Sequence, residues 1–432
     1  MNHTQDFIYV FWLAVVWLIT LIAHLKKRKC FDLGGFTLMM FFIYAVFSCL
    51  LLFNEDYNYE WFGLTLFPFI YLYILERITL SPIIRLDTRN YTSIKPVNED
   101  IVRIVCYVYV FCSIISLPSI IPNIQQGLTR LLFEQAGYDL YTESTAAREQ
   151  QIRSGLMNIP AILSGMLSLF CLFFTFYLLT TRKRPRILIS LLGVSVFISL
   201  LSQIAEGHRG GIMEWLMQVG CLYFIFLRFY NEKIKKRVRL IGVIAVSIIV
   251  FLLGVLTFTR FDNYLGGGGS SIIAYAGMAD LAFNKFGLDD NGIRYGDRTA
   301  SFYKRMIGMD APKNYNQRRA KYPKLKVNDE TFISYVGDFT IDYGPIVAAI
   351  ILCVLSAIML KLSYCRGPSI GLHNLLAVYF VASICVSGGM SLFNLADAGA
   401  LKVFVFIILY IVLKNRSNKA FNNQKIKQWQ DL

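Results

Sequence analysis

ILISLLGVSVFISLLSQIAEGHRGGIMEWLMQVGCLYFIF, residues 187–226, holds two apolar runs joined by a short charged break. Each run is about twenty residues long, enough to cross ~30 Å of hydrocarbon as a helix. A backbone in lipid must satisfy its own hydrogen bonds, so the stretch reads as two helices and the turn between them. The turn, AEGHRGGIME at 205–214, places Glu206, His208 and Arg209 where a membrane hairpin needs only small residues.

The same alternation runs along the whole chain. Spans are expected near 7–25, 34–53, 61–80, 101–121, 156–180, 187–205, 211–229, 240–258, 332–360, 372–390 and 400–413. The 432 residues therefore read as one integral domain, 1–432, an all-α polytopic transmembrane bundle of about eleven spans. With 56% hydrophobic and 16% charged residues and a mean hydropathy of +0.51, the chain is too apolar for a soluble domain. Residues 7–25 are too long for the core of a cleavable signal, and no small-residue site follows.

Positive charge collects on one set of loops: Lys26-Lys27-Arg28-Lys29, Arg182-Lys183-Arg184, KIKKRVR at 233–239 and the C-terminal lysines. MNHTQD and NEDYNYE, on the opposite loops, contain no Lys or Arg. By the positive-inside rule the N-terminus is outside and the C-terminus cytoplasmic. Most of the +15 net charge is then membrane-anchoring charge, and no nucleic-acid partner is implied. The nine cysteines fall in spans or cytoplasmic loops, with no CxxC or Cys/His cluster, so neither a disulfide framework nor a metal site is expected.

Two outer segments exceed a turn. The smaller loop, 122–155, contains Arg130, Glu134, Arg148 and Arg153, with room for a short helix. The larger, 259–331, opens with GGGGSS at 266–271, read as a flexible joint, and its basic residues outnumber its eight acids. It reads as a solvated cap or as an anion site. On a helix, Arg294, Arg298 and Arg305 would share one face, and the planar guanidinium fork suits phosphate oxygens.

Polar residues also line the outer ends of three spans. Ser195, Ser199, Ser202 and Glu206 fall four, three and four apart, and Gly211, Glu214 and Gln218 three and four apart. Tyr335, Asp338 and Asp342 repeat the pattern before Tyr343-Gly344-Pro345. Carboxylates near hydrocarbon are costly and face a water-filled cavity or a partner. Glu206 and Glu214 either pair with Arg209 or line such a cavity. His208 reads either as a turn histidine or as a base, and Arg209 as a cation for an anionic substrate.

GHRGG (207–211), the arginine-rich 259–331 segment and TFISYVGDFTIDYGPIVAA (331–349) together give the chain a likeness to a known family. Over roughly residues 150–400 it resembles the Wzy-type O-antigen or oligosaccharide repeat-unit polymerases. The resemblance implies a GT-C-like helical fold in a bacterial inner membrane. It also implies cofactor-free, metal-independent transfer of an undecaprenyl-diphosphate-linked oligosaccharide onto the next lipid-linked unit. Membrane lipids and a chain-length regulator would be partners.

On that reading Arg209, Asp338, Asp342, Glu206 and His208 are the catalytic candidates, and Arg294, Arg298, Arg305, Glu214 and Tyr343 the substrate-binding ones. Arginines would stabilise the departing diphosphate, and a carboxylate would take the sugar hydroxyl's proton. An O-antigen ligase-like transferase and a polysaccharide flippase without chemistry are the competing classes. No histidine here matches the ligases' large-loop histidine, and no repeat symmetry of the flippase kind is visible.

The charge asymmetry makes a direct prediction. Cysteines introduced at Asn58 and Gln317 should react with an impermeant maleimide in intact spheroplasts, and one at Asn231 only after permeabilisation. The reverse pattern would invert the topology.

Overall fold

The computed structural model describes residues 3–54, 61–134, 140, 159–182, 184–261, 268–289, 291–327, 331–392 and 397–430. Helix dominates. In chain order the helices are α1 (His3–Arg28), α2 (Leu33–Leu52), α3 (Leu66–Thr79), α4 (Ser81–Arg85), α5 (Glu99–Phe133), α6 (Ile159–Leu178), α7 (Arg186–Ala205) and α8 (Arg209–Phe226). There follow α9 (Glu232–Phe261), α10 (Gly268–Ala282), α11 (Ser301–Met306), α12 (Tyr315–Lys321), α13 (Ser334–Tyr343), α14 (Pro345–Ser363), α15 (Leu372–Gly388) and α16 (Leu401–Gln430).

Among the described residues eight helices are long and apolar enough to cross a membrane. Lipid contact accounts for their outward faces. On α9, Leu240, Ile241, Val243, Ile244 and Phe251 all stand exposed, a surface that water would penalise and hydrocarbon would not. The chain divides into two compact units. One comprises Met1–Leu86, Asn263–Leu362 and Phe380–Val403, and the other Asp87–Asp262, Ser363–Tyr379 and Phe404–Leu432.

In the first unit α1 and α2 form a hairpin. Lys29 turns left-handed (φ 54°), and Asp32 caps α2 by accepting from the Gly35 N–H at 2.9 Å. His24 Nε2 lies 2.7 Å from the same carboxylate. Helix α10 then packs along α2. A Cβ at Gly277 would sit 2.4 Å from Phe47 O, and Ser48 Oγ lies 2.9 Å from both Gly277 O and Asp280 Oδ2. Gly268–Ser271, the last part of the expected joint, are therefore the first turn of a helix. Residues 268–282 belong to the helical packing and not to a solvated loop.

The expected span 332–360 is broken. Gly344 adopts φ 79° and Pro345 opens a new helix, splitting the segment into α13 and α14. Both pack on α3. Ser334 and Tyr335 meet Glu76 and Thr79, whereas after the ten residues of α13 Tyr71 Oη donates to Pro345 O. Ser356 Oγ, further along α14, donates to Ile78 O at 2.7 Å. The chain thus climbs beside α3, reverses at Gly344, and descends again. Residues 61–80 likewise yield a shorter helix than expected, α3 beginning only at Leu66.

In the second unit α5 continues to Phe133, through Pro118 and Pro122, so 122–133 of the smaller outer segment is helix. Arg148 and Arg153 lie outside the described residues. Leu131, Leu140, Leu200, Ile204, Ile212 and Ile249 form a buried cluster linking α5, α7, α8 and α9. Gly127 lets α5 approach α7 closely, since a Cβ there would fall 2.4 Å from Ala205 O. Phe173 stacks between Phe226 and Tyr379. A two-residue parallel pair, β1 (Ser93–Ile94) with β2 (Ser369–Ile370), completes this unit.

The α2–α10 contact gives a stability test. Gly277→Ala must push the two backbones apart and should cost about 1–3 kcal/mol, read as a lower melting temperature of the detergent-solubilised protein. Gly165→Ala, where a Cβ meets nothing within 4 Å, should leave melting unchanged or raise it slightly. Equal effects would remove the close contact as the reason for Gly277.

Candidate functional site

Each unit carries a charged cluster at a helix end. The first is built from RYGDRT, residues 294–299, folded onto α13. Tyr295 (φ 54°) and Gly296 (φ 81°) are both left-handed and curl the backbone. Gly296 is required twice over, because a Cβ there would also meet Tyr343 Oη at 2.7 Å. The curl is fastened by Arg294 N donating to Ile341 O at 2.9 Å and Gly296 N donating to Asp342 O at 3.2 Å.

Asp338 and Asp342, four apart, present their carboxylates on one face of α13. Arg294 Nε lies 2.8 Å from Asp342 Oδ1, and Arg294 Nη2 lies 3.3 Å from Asp338 Oδ1. Arg298 Nε lies 3.1 Å from Asp338 Oδ1, and its Nη2 donates to Ser391 Oγ at 3.2 Å. Asp342 Oδ2 accepts from the Thr299 N–H at 2.8 Å and the Thr299 hydroxyl at 2.7 Å; Asp338 Oδ2 accepts from Leu392 N at 3.3 Å. Arg294 is 3% exposed and Asp342 0%. Two buried acids face two buried arginines; Asp342 Oδ1 is met by the Arg294 ion pair, and the other three carboxylate oxygens accept hydrogen bonds.

A third buried acid holds the rest of this segment. Asp297 receives Lys304, Lys321 Nζ at 2.8 Å and Tyr322 Oη at 2.7 Å, and its carbonyl accepts from Arg318 Nη1 at 3.2 Å. Burial raises the Asp297 pKa, but the donors from Lys304, Lys321 and Tyr322 outweigh it and hold the carboxyl below the usual range. Burial first, and then the bond to Asp297, push the Tyr322 hydroxyl well up.

This arrangement bears on the residues read from sequence. The Arg294, Arg298 and Arg305 face does not form, because 294–299 is curled and Arg305 sits on α11, where it donates to Pro312 O. Arg294 and Arg298 direct their forks at carboxylates. Asp338 and Asp342 face Arg294 and Arg298 inside the fold, with Thr299 and Leu392 donating to their second oxygens. Tyr343 Oη lies 3.0 Å from Thr299 Oγ1, within the same contact. Sequence reasoning missed Asp297, Thr299, Ser391 and Tyr322. Asp297 alone left a local signal, an acid lodged among basic residues.

The second cluster is the turn between α7 and α8. Gly207 is left-handed (φ 73°), with Gly207 N donating to Ile204 O at 3.0 Å and His208 N to Gln203 O at 2.9 Å. That pair of bonds is a Schellman motif closing α7. Gly211 lets α8 begin against α7, since a Cβ there would collide with the Gln203 side chain. Arg209 is the first residue of α8 and is 8% exposed, its Nη1 3.5 Å from Thr257 Oγ1 of α9. Glu206 Oε1 accepts from Ser202 at 2.9 Å, and its other oxygen lies 4.0 Å from His208 Nε2. Glu214 accepts from Gln218 Nε2 at 2.7 Å.

Among the described residues no group of three or more His, Cys, Asp or Glu side chains is placed to hold a metal ion. No family model, curated protein or solved structure matches the chain.

The ion-pair cluster should behave as structure. Asp342→Ala strands Arg294 in a buried site and should lower stability by about 3–5 kcal/mol, with faster tryptic cutting at the exposed Arg319. Asp342→Asn with Arg294→Gln, which removes both charges, should recover much of that loss. A single variant as stable as the parent would show that the pair does not hold the segment.

Proposed function

We propose that this chain is a lipid-linked oligosaccharide repeat-unit polymerase acting on the outer face of a bacterial inner membrane. The observation that carries the reading is Arg209. A helix N-terminus already bears positive partial charge, so a buried guanidinium as first residue of α8 adds like charge to like. A purely structural arginine gains more at a helix C-terminus. Guanidinium and helix dipole at one point suit an anion such as a diphosphate.

The chemistry follows from that placement. A sugar hydroxyl of one lipid-linked unit attacks the anomeric carbon of another, and the bond to the diphosphate oxygen breaks. The charge that grows on the leaving diphosphate is met by Arg209, and the hydroxyl proton passes to a carboxylate. Glu206, beside His208 and three residues from Arg209, is the carboxylate proposed as acceptor. In this reading Arg294 and Arg298 position the 288–327 segment and do not bind diphosphate themselves. The basic surface of that segment, including Lys313, Arg319 and Lys324, is suited to gathering anionic substrate.

Arg209→Ala should abolish long polymer while leaving protein level and single repeat units intact. The loss expected of one preorganised donor is about 2.7–4 kcal/mol in the barrier. Arg209→Lys should recover little, because an ammonium cannot reproduce a bidentate fork. Purified protein given lipid-linked units should polymerise them in excess EDTA. Full activity of the alanine variant, or EDTA inhibition reversed by Mg²⁺, would sink the arginine mechanism.

A further inference from the structure

Among the described residues of 288–327, the large apolar side chains that stand exposed are Tyr295, Met306, Ile307 and Met309. Three of these four lie in one run, RMIGM at 305–309, and Ile307 is 75% exposed. The run is ordered. Gly308 is left-handed (φ 81°), its N–H donates to Arg305 O, and Met309 N donates to Lys304 O at 2.9 Å. A soluble surface seldom gathers such side chains on a fixed turn without something to cover them.

Two contacts place this turn. Thr299, just before α11, touches Tyr343, two residues ahead of the first residue of the membrane-length helix α14. Tyr303 Oη, four residues on, donates at 2.9 Å to Ala400 O, directly before the apolar run 401–413 of α16. Each anchor stands within two residues of the start of an apolar helix. Met306 follows Tyr303 by three residues, about one helical turn. Lys304 pairs with Asp297 and Arg318 is buried, but Lys313 and Arg319 stand exposed nearby against the single acid Asp310 over 304–319.

We infer that the Met306–Met309 turn inserts into the lipid interface of the bilayer, with the exposed Lys313 and Arg319 side chains on phosphate headgroups. Apolar tips between basic flanks are the chemistry of interfacial membrane segments, and the basic flanks favour anionic lipid. The insertion would hold the 288–327 segment against the membrane from a second side, beyond its ion pairs to α13. It holds whether or not the chain polymerises glycan.

The test uses full-length protein with a benzophenone-bearing amino acid in place of Ile307, reconstituted in nanodiscs of phosphatidylethanolamine and phosphatidylglycerol. Irradiation followed by mass spectrometry should find a phospholipid adduct at position 307. The yield should be severalfold above that from the same reporter at Gln317, which is exposed on α12 without an apolar neighbourhood. Replacing phosphatidylglycerol by phosphatidylcholine should lower the yield at 307. Equal yields at 307 and 317, or a lipid dependence confined to 317, would overturn the inference. So would an adduct at 307, in cells, to another polypeptide instead of lipid, which would make the turn a protein-docking surface.

Discussion

Four buried charges decide how the first unit is put together: Arg294 and Arg298 against Asp338 and Asp342. Taking such charges out of water costs several kilocalories per ion, and their attraction does little more than offset that cost. The cluster is therefore a weak source of net stability and a strong source of register. One curl of the RYGDRT backbone lets the Arg294 fork meet both carboxylates and the Arg298 fork meet Asp338, while Thr299 and Leu392 supply further donors. A shift by one residue along α13 would turn the acids away and leave charges unpaired.

That constraint explains the break at Gly344-Pro345. Without facing arginines, two aspartates one turn apart could not sit among helices of this polarity. With them, α13 runs for ten residues beside α3 and neutralises its own acids. The chain must then reverse to begin an apolar helix clear of the cluster, and Gly344 at φ 79° followed by Pro345 provides the reversal. The 288–327 segment, α13 and the Gly344 corner are one construction. An arginine-rich stretch followed by an acid-bearing helix is its sequence trace.

The long apolar helices were legible because composition over about twenty residues is enough to identify a span. The turn at 205–214 was legible too, since Gly207, the α7 polar stripe and Gly211 act within a few residues of one another. What escaped the sequence depends on partners far along the chain. Residues 268–282 read as part of a loop because the four-glycine run 266–269 overlaps their start, yet the reason for Gly277 is Phe47, more than two hundred positions away. The basic excess of 259–331 looked like an anion site because its neutralising acids, Asp338 and Asp342, had been assigned to a span of their own. Periodicity gives the face a residue occupies and says nothing of which element meets it.

The arginines of the two units are consequently different objects, although composition treats them alike. Arg294 and Arg298 meet acids on a facing helix charge for charge, so removing either leaves an imbalance inside the fold. Arg209 begins a helix whose own dipole is positive at that point, after a turn complete in its backbone hydrogen bonds without it. Gly207 and the Schellman bonds would close α7 with any residue at 209. The diphosphate role proposed for Arg209 rests on that placement, because an anion at a helix N-terminus would offset both the guanidinium charge and the helix dipole.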